Sequence, residues 1–172
     1  MSRNSKRKFT VPKLLKKQSN FSSWILKDLK DTISFGKYLI QNQPNIRLLL
    51  LEGELGAGKT SLVKGIGQGM GIKEPITSPT FALAQHYARG QRSLIHLDLY
   101  RLDNPKIANE LFLEEEEGIS NLKGLMVVEW PERLNLELPE AWLAKLKYTE
   151  DNQRIIQLFP PKPEIMKLRT SS

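Results

Sequence analysis

Apolar and polar positions along the chain follow two distinct patterns. Residues 46–52 and 125–130 are short, largely apolar runs of strand length, as in strands buried on both faces of a parallel sheet. Residues 142–148 and 154–159 alternate apolar and polar positions around a turn at 149–152, which predicts an antiparallel hairpin on the edge of the sheet. Together these patterns predict an α/β domain with a mixed sheet, parallel in the centre and antiparallel at its edges, and with helices on both faces.

The segment before the first apolar run predicts one strand and one helix. Residues 21–29 contain spaced apolar positions that are typical of a first edge strand. Asp31 or Thr32 is the expected N-cap of the helix that follows. Residues 41–45 are turn-forming and include a proline, so we expect this helix to end there.

Weaker patterns predict the elements between the two apolar runs. Residues 82–87 and 93–97 favour two strands that are joined by a hairpin-like turn at 89–92. A helix is expected to begin at residues 104–105 and to end near Leu113, ahead of a run of glutamates.

The excess charge of the chain lies in one segment. The net charge is +7, and the first 20 residues contain seven basic residues and no acidic one, which leaves 19 basic residues to balance 19 acidic residues elsewhere. The sequence therefore predicts a basic disordered tail over 1–20, a domain over 21–160 and a C-terminal tail over 161–172. The basic tail either contacts RNA or another polyanion or only aids solubility.

The composition also narrows the expected location and metal chemistry. There is no cysteine, no apolar run approaches the length of a membrane span, and no signal-peptide core follows the first basic residues. We therefore expect a cytoplasmic protein with no membrane contact. His86 and His96 are ten positions apart without a cysteine nearby, so the sequence does not predict a zinc site.

Residues 53–60, Gly-Glu-Leu-Gly-Ala-Gly-Lys-Thr, match the phosphate-binding loop G-x-x-x-x-G-K-[ST]. They lie between an apolar strand and a helical pattern, the context that this loop requires in a P-loop NTPase fold. The glycines allow backbone N–H groups to face phosphate oxygens, Lys59 reaches the β- and γ-phosphates of ATP, and the Thr60 hydroxyl is the expected ligand of Mg²⁺. The candidate nucleotide-binding run is Leu55, Gly56, Ala57, Gly58, Lys59, Thr60 and Ser61.

A nucleotide hydrolase of this type needs a carboxylate at a neighbouring strand end, and the sequence offers two. Glu129 ends the apolar run 125–130, and Asp98 follows the strand predicted at 93–97. The segment Ser78-Pro79-Thr80 is either a loop that senses the γ-phosphate through a threonine hydroxyl or a plain turn. Trp130 is either an aromatic lid on the site or part of the core.

Four segments, taken in order, resemble the TsaE (YjeE) family of small bacterial ATPases. They are the P-loop, Ser78-Pro79-Thr80, residues 96–101 (His-Leu-Asp-Leu-Tyr-Arg) and residues 128–132 (Val-Glu-Trp-Pro-Glu). The resemblance covers roughly residues 21–159. It implies an ATPase that works with a TsaB–TsaD pair in making threonylcarbamoyladenosine, the modified adenosine beside the anticodon of tRNAs. The routes left open for contact with tRNA are these partners and the basic tail, which lies outside the resemblance.

The resemblance also implies roles for single residues. Thr60 and Glu129 would bind Mg²⁺, and Lys59 would bind the phosphates of ATP. Asp98 would be needed for hydrolysis, and Thr80 matches the switch threonine of the family. Thr32, at the start of the first helix, would lie near the nucleotide.

Two other functions compete with this interpretation. A small-molecule kinase with a P-loop would need an arginine-bearing lid, whereas Arg89, Arg92 and Arg101 are scattered. A non-catalytic RNA-binding module would use the basic tail, where Phe9 is the only aromatic residue available for stacking on bases.

Overall fold

The computed structural model describes residues 12–17 and 20–162. This part of the chain forms one mixed sheet with helices on both faces. The strands are β1 Leu14–Lys17, β2 Ser22–Leu26, β3 Leu48–Glu52, β4 Ala84–Tyr87, β5 Leu94–Asp98, β6 Leu125–Glu129, β7 Trp142–Tyr148 and β8 Arg154–Phe159. The helices are α1 Leu29–Asn42, α2 Lys59–Gly69, α3 Pro105–Asn121 and a 3-10 turn at Pro131–Arg133.

The sheet has the strand order β1-β2-β8-β7-β3-β6-β5-β4. Its four central strands β7, β3, β6 and β5 run parallel, and every other pairing is antiparallel. The predicted mixed sheet is therefore confirmed. The predicted edge position of the β7–β8 hairpin is wrong, because β7 pairs with β3 and β8 pairs with β2.

The N-terminal edge of the sheet also differs from the prediction. β2 was expected to be an edge strand, but β1 pairs with it and forms the edge instead. The expectation of a disordered tail over 1–20 is wrong for Leu14–Lys17, whose side chains are all exposed although the backbone is in the sheet. Residues 1–11, 18–19 and 163–172 lie outside the described residues, so the rest of both predicted tails stays a prediction.

Two helix boundaries also differ. α1 begins at Leu29 with Asp28 as its N-cap, one turn before Asp31 and Thr32, because the Asp28 carboxylate accepts the backbone N–H of Asp31 at 2.9 Å. α3 continues past Leu113 to Asn121, since its buried residues Phe112 and Ile119 lie two turns apart and the acidic run between them is on the solvated face.

The core has two parts, one on each face of the sheet. α1 and α2 cover one face, where Phe35, Leu62 and Ile66 are fully buried in one cluster with apolar side chains of the sheet. α3 covers the other face through Phe112 and Ile119. Helices on both faces are thus confirmed. No helix of residues 12–17 or 20–162 is both long and apolar enough to cross a membrane.

Glycines bring α1 and α2 into close contact. A methyl group added to Gly65 would lie 1.9 Å from the Ile33 carbonyl oxygen, and one added to Gly36 would lie 2.3 Å from the Leu62 carbonyl oxygen. Each glycine lowers the helical propensity of its own helix, but the contact lets the two backbones pack without intervening side chains. This contact fixes the direction in which α2 leaves the phosphate-binding loop.

We predict that Gly65→Ala destabilises the chain although alanine is the better helix former. The new methyl group would overlap the Ile33 carbonyl, and overpacking of this kind costs about 1–3 kcal/mol. Gly118→Ala in α3 is the matched control, because a methyl group there meets nothing within 4 Å and should stabilise by about 0.5–1 kcal/mol. Chemical denaturation of both variants measures the difference, and a Gly65→Ala protein as stable as wild type would contradict the close helix contact.

Candidate functional site

The predicted phosphate-binding loop joins β3 to α2 at the carboxyl end of the parallel strands. Gly56 has φ 80° and Gly58 has φ 107°, conformations that an L side chain rarely adopts. Gly58 is the N-cap of α2, and no side chain caps the first N–H groups of that helix. The loop and the helix N-terminus therefore present backbone N–H groups and a partial positive charge to one side, which suits a phosphate.

Lys59 lies inside this loop with only 4% of its surface exposed. Its Nζ donates to the carbonyl oxygens of Gly53 at 2.6 Å and Glu54 at 3.0 Å, and lies 4.1 Å from the centre of the Trp130 ring. Burial lowers the pKa of Lys59 below its usual 10.5, and the negative charges of Glu129 and other nearby carboxylates oppose this shift. Burial thus disfavours the charged form of this side chain, while the two carbonyl dipoles and the aromatic face stabilise it.

Glu129 lies at the end of β6 and connects the loop to the neighbouring strand β5. Its Oε1 accepts from the Thr60 hydroxyl at 2.9 Å and lies 2.9 Å from Nε2 of His96. Both Glu129 and His96 are buried. The two residues that the sequence assigned to one metal, Thr60 and Glu129, are therefore adjacent.

The sequence analysis missed the contact of His96 with Glu129. His96 and Asp98 are two positions apart on β5, so their side chains lie on the same face of the sheet. Asp98 pairs in register with Glu129 of the neighbouring strand β6, which places Glu129 beside both residues. The spacing His-x-Asp was the available signal. Nδ1 of His96 has no hydrogen-bond partner.

Asp98 makes different contacts from Glu129. Its Oδ2 accepts from the hydroxyl of Ser78 at 3.1 Å and from the hydroxyl of Thr80, and its Oδ1 accepts from the backbone N–H of Tyr100 at 3.0 Å. The Ser78-Pro79-Thr80 segment is therefore held against the end of β5, although Ser78 and Asp98 are twenty residues apart in sequence. This placement favours the interpretation of the segment as part of the site over that of a plain turn.

Two aromatic rings lie at the mouth of the site. Trp130 has φ 61°, packs partly against the second core cluster and lies over Lys59. Its ring centre is 4.8 Å from that of Tyr100. Trp130 therefore packs against the core, as one interpretation expected, and also lies over the lysine of the site, where the other interpretation placed a lid.

A cavity of about 270 Å³ collects most of the predicted residues. Ala57 and Thr32 are exceptions, because both are buried and do not line it; Thr32 lies behind Gly58, where a methyl group would be 3.5 Å from its Cγ2. Leu29 and Tyr100 line the cavity without having been predicted to, and Trp130, one of whose two predicted roles was a lid on the site, lines it as well. The full lining is Leu29, Leu55, Gly56, Gly58, Lys59, Thr60, Ser61, Ser78, Thr80, Asp98, Tyr100, Glu129 and Trp130.

The turn side of the β7–β8 hairpin contacts the outer side of the loop. The hydroxyl of Tyr148 donates to the Gly56 carbonyl at 2.5 Å, and Nε of Arg154 donates to the Ala57 carbonyl at 3.1 Å. The sequence analysis did not predict these contacts, because alternation in β7 and β8 indicates a strand pair and not its neighbour.

The donor groups fit a nucleotide and its magnesium ion better than a metal ion alone. Within residues 12–17 and 20–162, no three His, Cys, Asp or Glu side chains are grouped so that they could hold a metal. The site instead combines a glycine cradle, a buried lysine and the oxygen pair of Thr60 and Glu129. Mg²⁺ in nucleotide sites takes one or two protein oxygens and completes its shell with phosphate and water.

Comparison with known proteins places the chain in a family. Residues 26–156 match the family model "Threonylcarbamoyl adenosine biosynthesis protein TsaE". Two cyanobacterial proteins that are named tRNA threonylcarbamoyladenosine biosynthesis protein TsaE are similar to this chain. The one from Synechocystis is 45% identical over 67% of this chain and 73% of its own length, and the one from Nostoc is 38% identical over 78% and 83%.

A relative of the same name from Treponema pallidum is 37% identical over 77% of this chain and 96% of its own length. Among solved structures, the crystal structure of Bacillus subtilis YdiB is similar, with a TM-score of 0.67 and 25% identity, covering 90% of this chain and 95% of that one. The family model spans the strands and helices that build the candidate site, and the chain belongs to the TsaE family.

Proposed function

We propose that this chain binds and hydrolyses ATP with Mg²⁺, and that it does so together with TsaB- and TsaD-type partners in tRNA threonylcarbamoyladenosine biosynthesis. The observation that carries the proposal is one cavity lined by the glycine loop, Lys59, the Thr60–Glu129 pair and Asp98. Membership of the TsaE family supplies the pathway.

Phosphate binding falls to the loop and Lys59. The first residues of α2 line the cavity and no side chain caps their N–H groups. The lysine ammonium can exchange its carbonyl acceptors for phosphate oxygens, which are stronger acceptors because they are charged. The low local exposure of Lys59 strengthens such a contact, since little water competes for it.

Thr60 and Glu129 are the residues that would hold Mg²⁺. Bound there, the ion would neutralise charge on the phosphates as the bond to the γ-phosphate breaks. His96 contacts the same Oε1 atom of Glu129 that accepts from Thr60, so two neighbours hold the orientation of the carboxylate.

Asp98 is the candidate residue for orienting the attacking water. The donors Ser78, Thr80 and the Tyr100 N–H leave lone-pair capacity on the carboxylate, which has about four acceptor positions. From there it can accept a hydrogen bond from a water and hold the Thr80 hydroxyl at the same time. Lys59, Asp98, Thr80 and Glu129 are thus the proposed catalytic set.

The proposal is tested by reconstitution. The purified chain is combined with TsaB- and TsaD-type proteins, tRNA, ATP and an enzyme that supplies threonylcarbamoyl-adenylate, and the modified nucleoside is measured. We expect product and ATP hydrolysis to need the chain and to fail with Lys59→Ala. Product formed equally well without the chain would refute the pathway role, and an acceptor-dependent phosphorylated small molecule would favour a kinase.

We predict that Lys59→Met separates stability from function. Because burial lowers the pKa of Lys59, unfolding takes up a proton between the folded pKa and 10.5, so stability rises with pH through that window, and below the window the buried charge costs stability. The variant should therefore unfold at the same or a higher temperature than wild type and bind Mg·ADP at least about tenfold more weakly.

Thermal unfolding with and without Mg·ADP measures both effects of Lys59→Met. Wild type should gain stability from the ligand, and the variant should gain little. A large drop in unfolding temperature without ligand would show that Lys59 mainly holds the fold.

We also predict that Glu129→Gln and Asp98→Asn fail differently. Glu129 contacts Thr60, so its loss should weaken Mg²⁺-dependent nucleotide binding and hydrolysis together. Asp98 contacts the Ser78–Thr80 segment, so Asp98→Asn should keep most nucleotide affinity and lose about 10²-fold or more in turnover. Nucleotide binding and hydrolysis are measured in both variants as Mg²⁺ is titrated. If excess Mg²⁺ rescues only Asp98→Asn, the roles of Glu129 and Asp98 are the reverse of those proposed.

A further inference from the structure

We propose that Tyr148 and Arg154 are positioning residues for nucleotide binding, which hold the phosphate-binding loop in its working conformation through its outward-facing carbonyls. The inference rests on the proposed function, because it assigns these two residues to the same nucleotide site. Neither residue lines the 270 Å³ cavity, so both act through the loop backbone.

The two donors lie opposite each other on the hairpin. Tyr148 at the end of β7 pairs in register with Arg154 at the start of β8. The Tyr148 hydroxyl donates to Gly56 O at 2.5 Å, and Arg154 Nε donates to Ala57 O at 3.1 Å. Two consecutive carbonyls of the loop therefore have side-chain donors on the hairpin side.

The direction of these carbonyls matters for phosphate binding. In a trans peptide the C=O and N–H groups point to opposite sides. A donor that holds Ala57 O toward the hairpin turns the N–H of Gly58 away from it, and Gly58 lines the cavity. The preceding peptide is fixed on both sides, since Gly56 O accepts from Tyr148 and Ala57 N donates to Glu54 O at 3.1 Å.

The burial of Arg154 is difficult to explain by the fold alone. The residue is 9% exposed, and within the described part of the chain its guanidinium forms no ion pair with a carboxylate. An apolar side chain would occupy this position at a lower desolvation cost. The charge is instead stabilised by the Ala57 carbonyl and by the Tyr148 ring, whose centre is 4.8 Å from Cζ.

Tyr148 and Arg154 are also coupled to each other. Nη2 of Arg154 donates to the Tyr148 hydroxyl at 3.3 Å, and that hydroxyl donates to Gly56 O. A chain of donors strengthens each member, because polarisation passes along it. Removing either donor should therefore loosen both loop carbonyls, and the effects of the two substitutions should not add.

The test uses Tyr148→Phe, Arg154→Lys and Arg154→Met in the full-length chain. Calorimetric titration gives the Kd for Mg·ADP, and steady-state assays give KM and kcat for ATP. Tyr148→Phe removes one hydroxyl and should weaken Mg·ADP binding about three- to tenfold. Arg154→Met should weaken it about tenfold or more, because a charged donor is lost.

Arg154→Lys separates position from charge. The lysine keeps the positive charge but lacks the Nε donor to Ala57 O, so we expect binding as weak as in Arg154→Met. In all three variants KM should rise with Kd while kcat changes little, since the loop N–H groups contact phosphate before and during the reaction. Wild-type affinity in Arg154→Lys would overturn the positioning role.

Arg92→Lys is the matched control. Arg92 also donates to backbone carbonyls, those of Ile46 and Gly124 at 2.7 Å, but at the amino ends of the parallel strands, away from the loop. The Arg92→Lys substitution should lower the unfolding temperature without changing the Kd for Mg·ADP. An equal loss of affinity in Arg92→Lys would attribute the effect to general destabilisation and overturn the inference.

The outcomes also separate this inference from the proposed function. If wild type binds Mg·ADP, Lys59→Met does not, and the hairpin variants bind as wild type, the inference fails and the proposed function stands. If wild type itself does not bind Mg·ADP, both fail. Should Arg154→Met not fold, Tyr148→Phe decides alone, because it removes only one exposed hydroxyl.

Discussion

The parallel pairing of β3 with both β6 and β7 is the constraint on which the candidate site depends. Leu51 lies between Glu129 on one neighbour and Ala144 on the other. Because the strands share one direction, their carboxyl ends meet at the same edge, where the phosphate-binding loop, Glu129 and Tyr148 all lie. A slip of one residue between β3 and β6 would turn Glu129 to the opposite face, away from Thr60.

Much of the fold could be predicted because its signals are local. The P-loop spacing, the apolar runs of β3 and β6 and the alternation of β7 and β8 are each contained in a few residues. The position of the β7–β8 hairpin inside the sheet could not be predicted, since alternation indicates one polar face and not the number of neighbouring strands. β1 could not be predicted either, because all four of its side chains are exposed and its sequence therefore has no alternation of buried and exposed positions.

The residues of the site could be predicted from the sequence, but the contacts among them could not. From the strand ends alone the sequence offered both Glu129 and Asp98 to one metal, and only the resemblance assigned Glu129 to Mg²⁺ and Asp98 to hydrolysis. Their partners distinguish them: Glu129 contacts Thr60 and His96, whereas Asp98 contacts Ser78, Thr80 and the Tyr100 backbone. These contacts depend on the register of β5 with β6 and on how the 78–80 segment folds back, which are long-range properties.

The described chain buries polar side chains mainly around this one edge. Its core is apolar on both faces of the sheet, and all of its buried polar residues except Ser23 surround the loop. Each such burial costs stability that an apolar residue would avoid, and hydrogen bonds to neighbours offset part of the cost. The same bonds fix the carboxylates, the lysine and the loop carbonyls in place, so that a ligand would meet oriented groups without having to order them. The residues are Thr32, Lys59, His96, Asp98, Glu129 and Arg154.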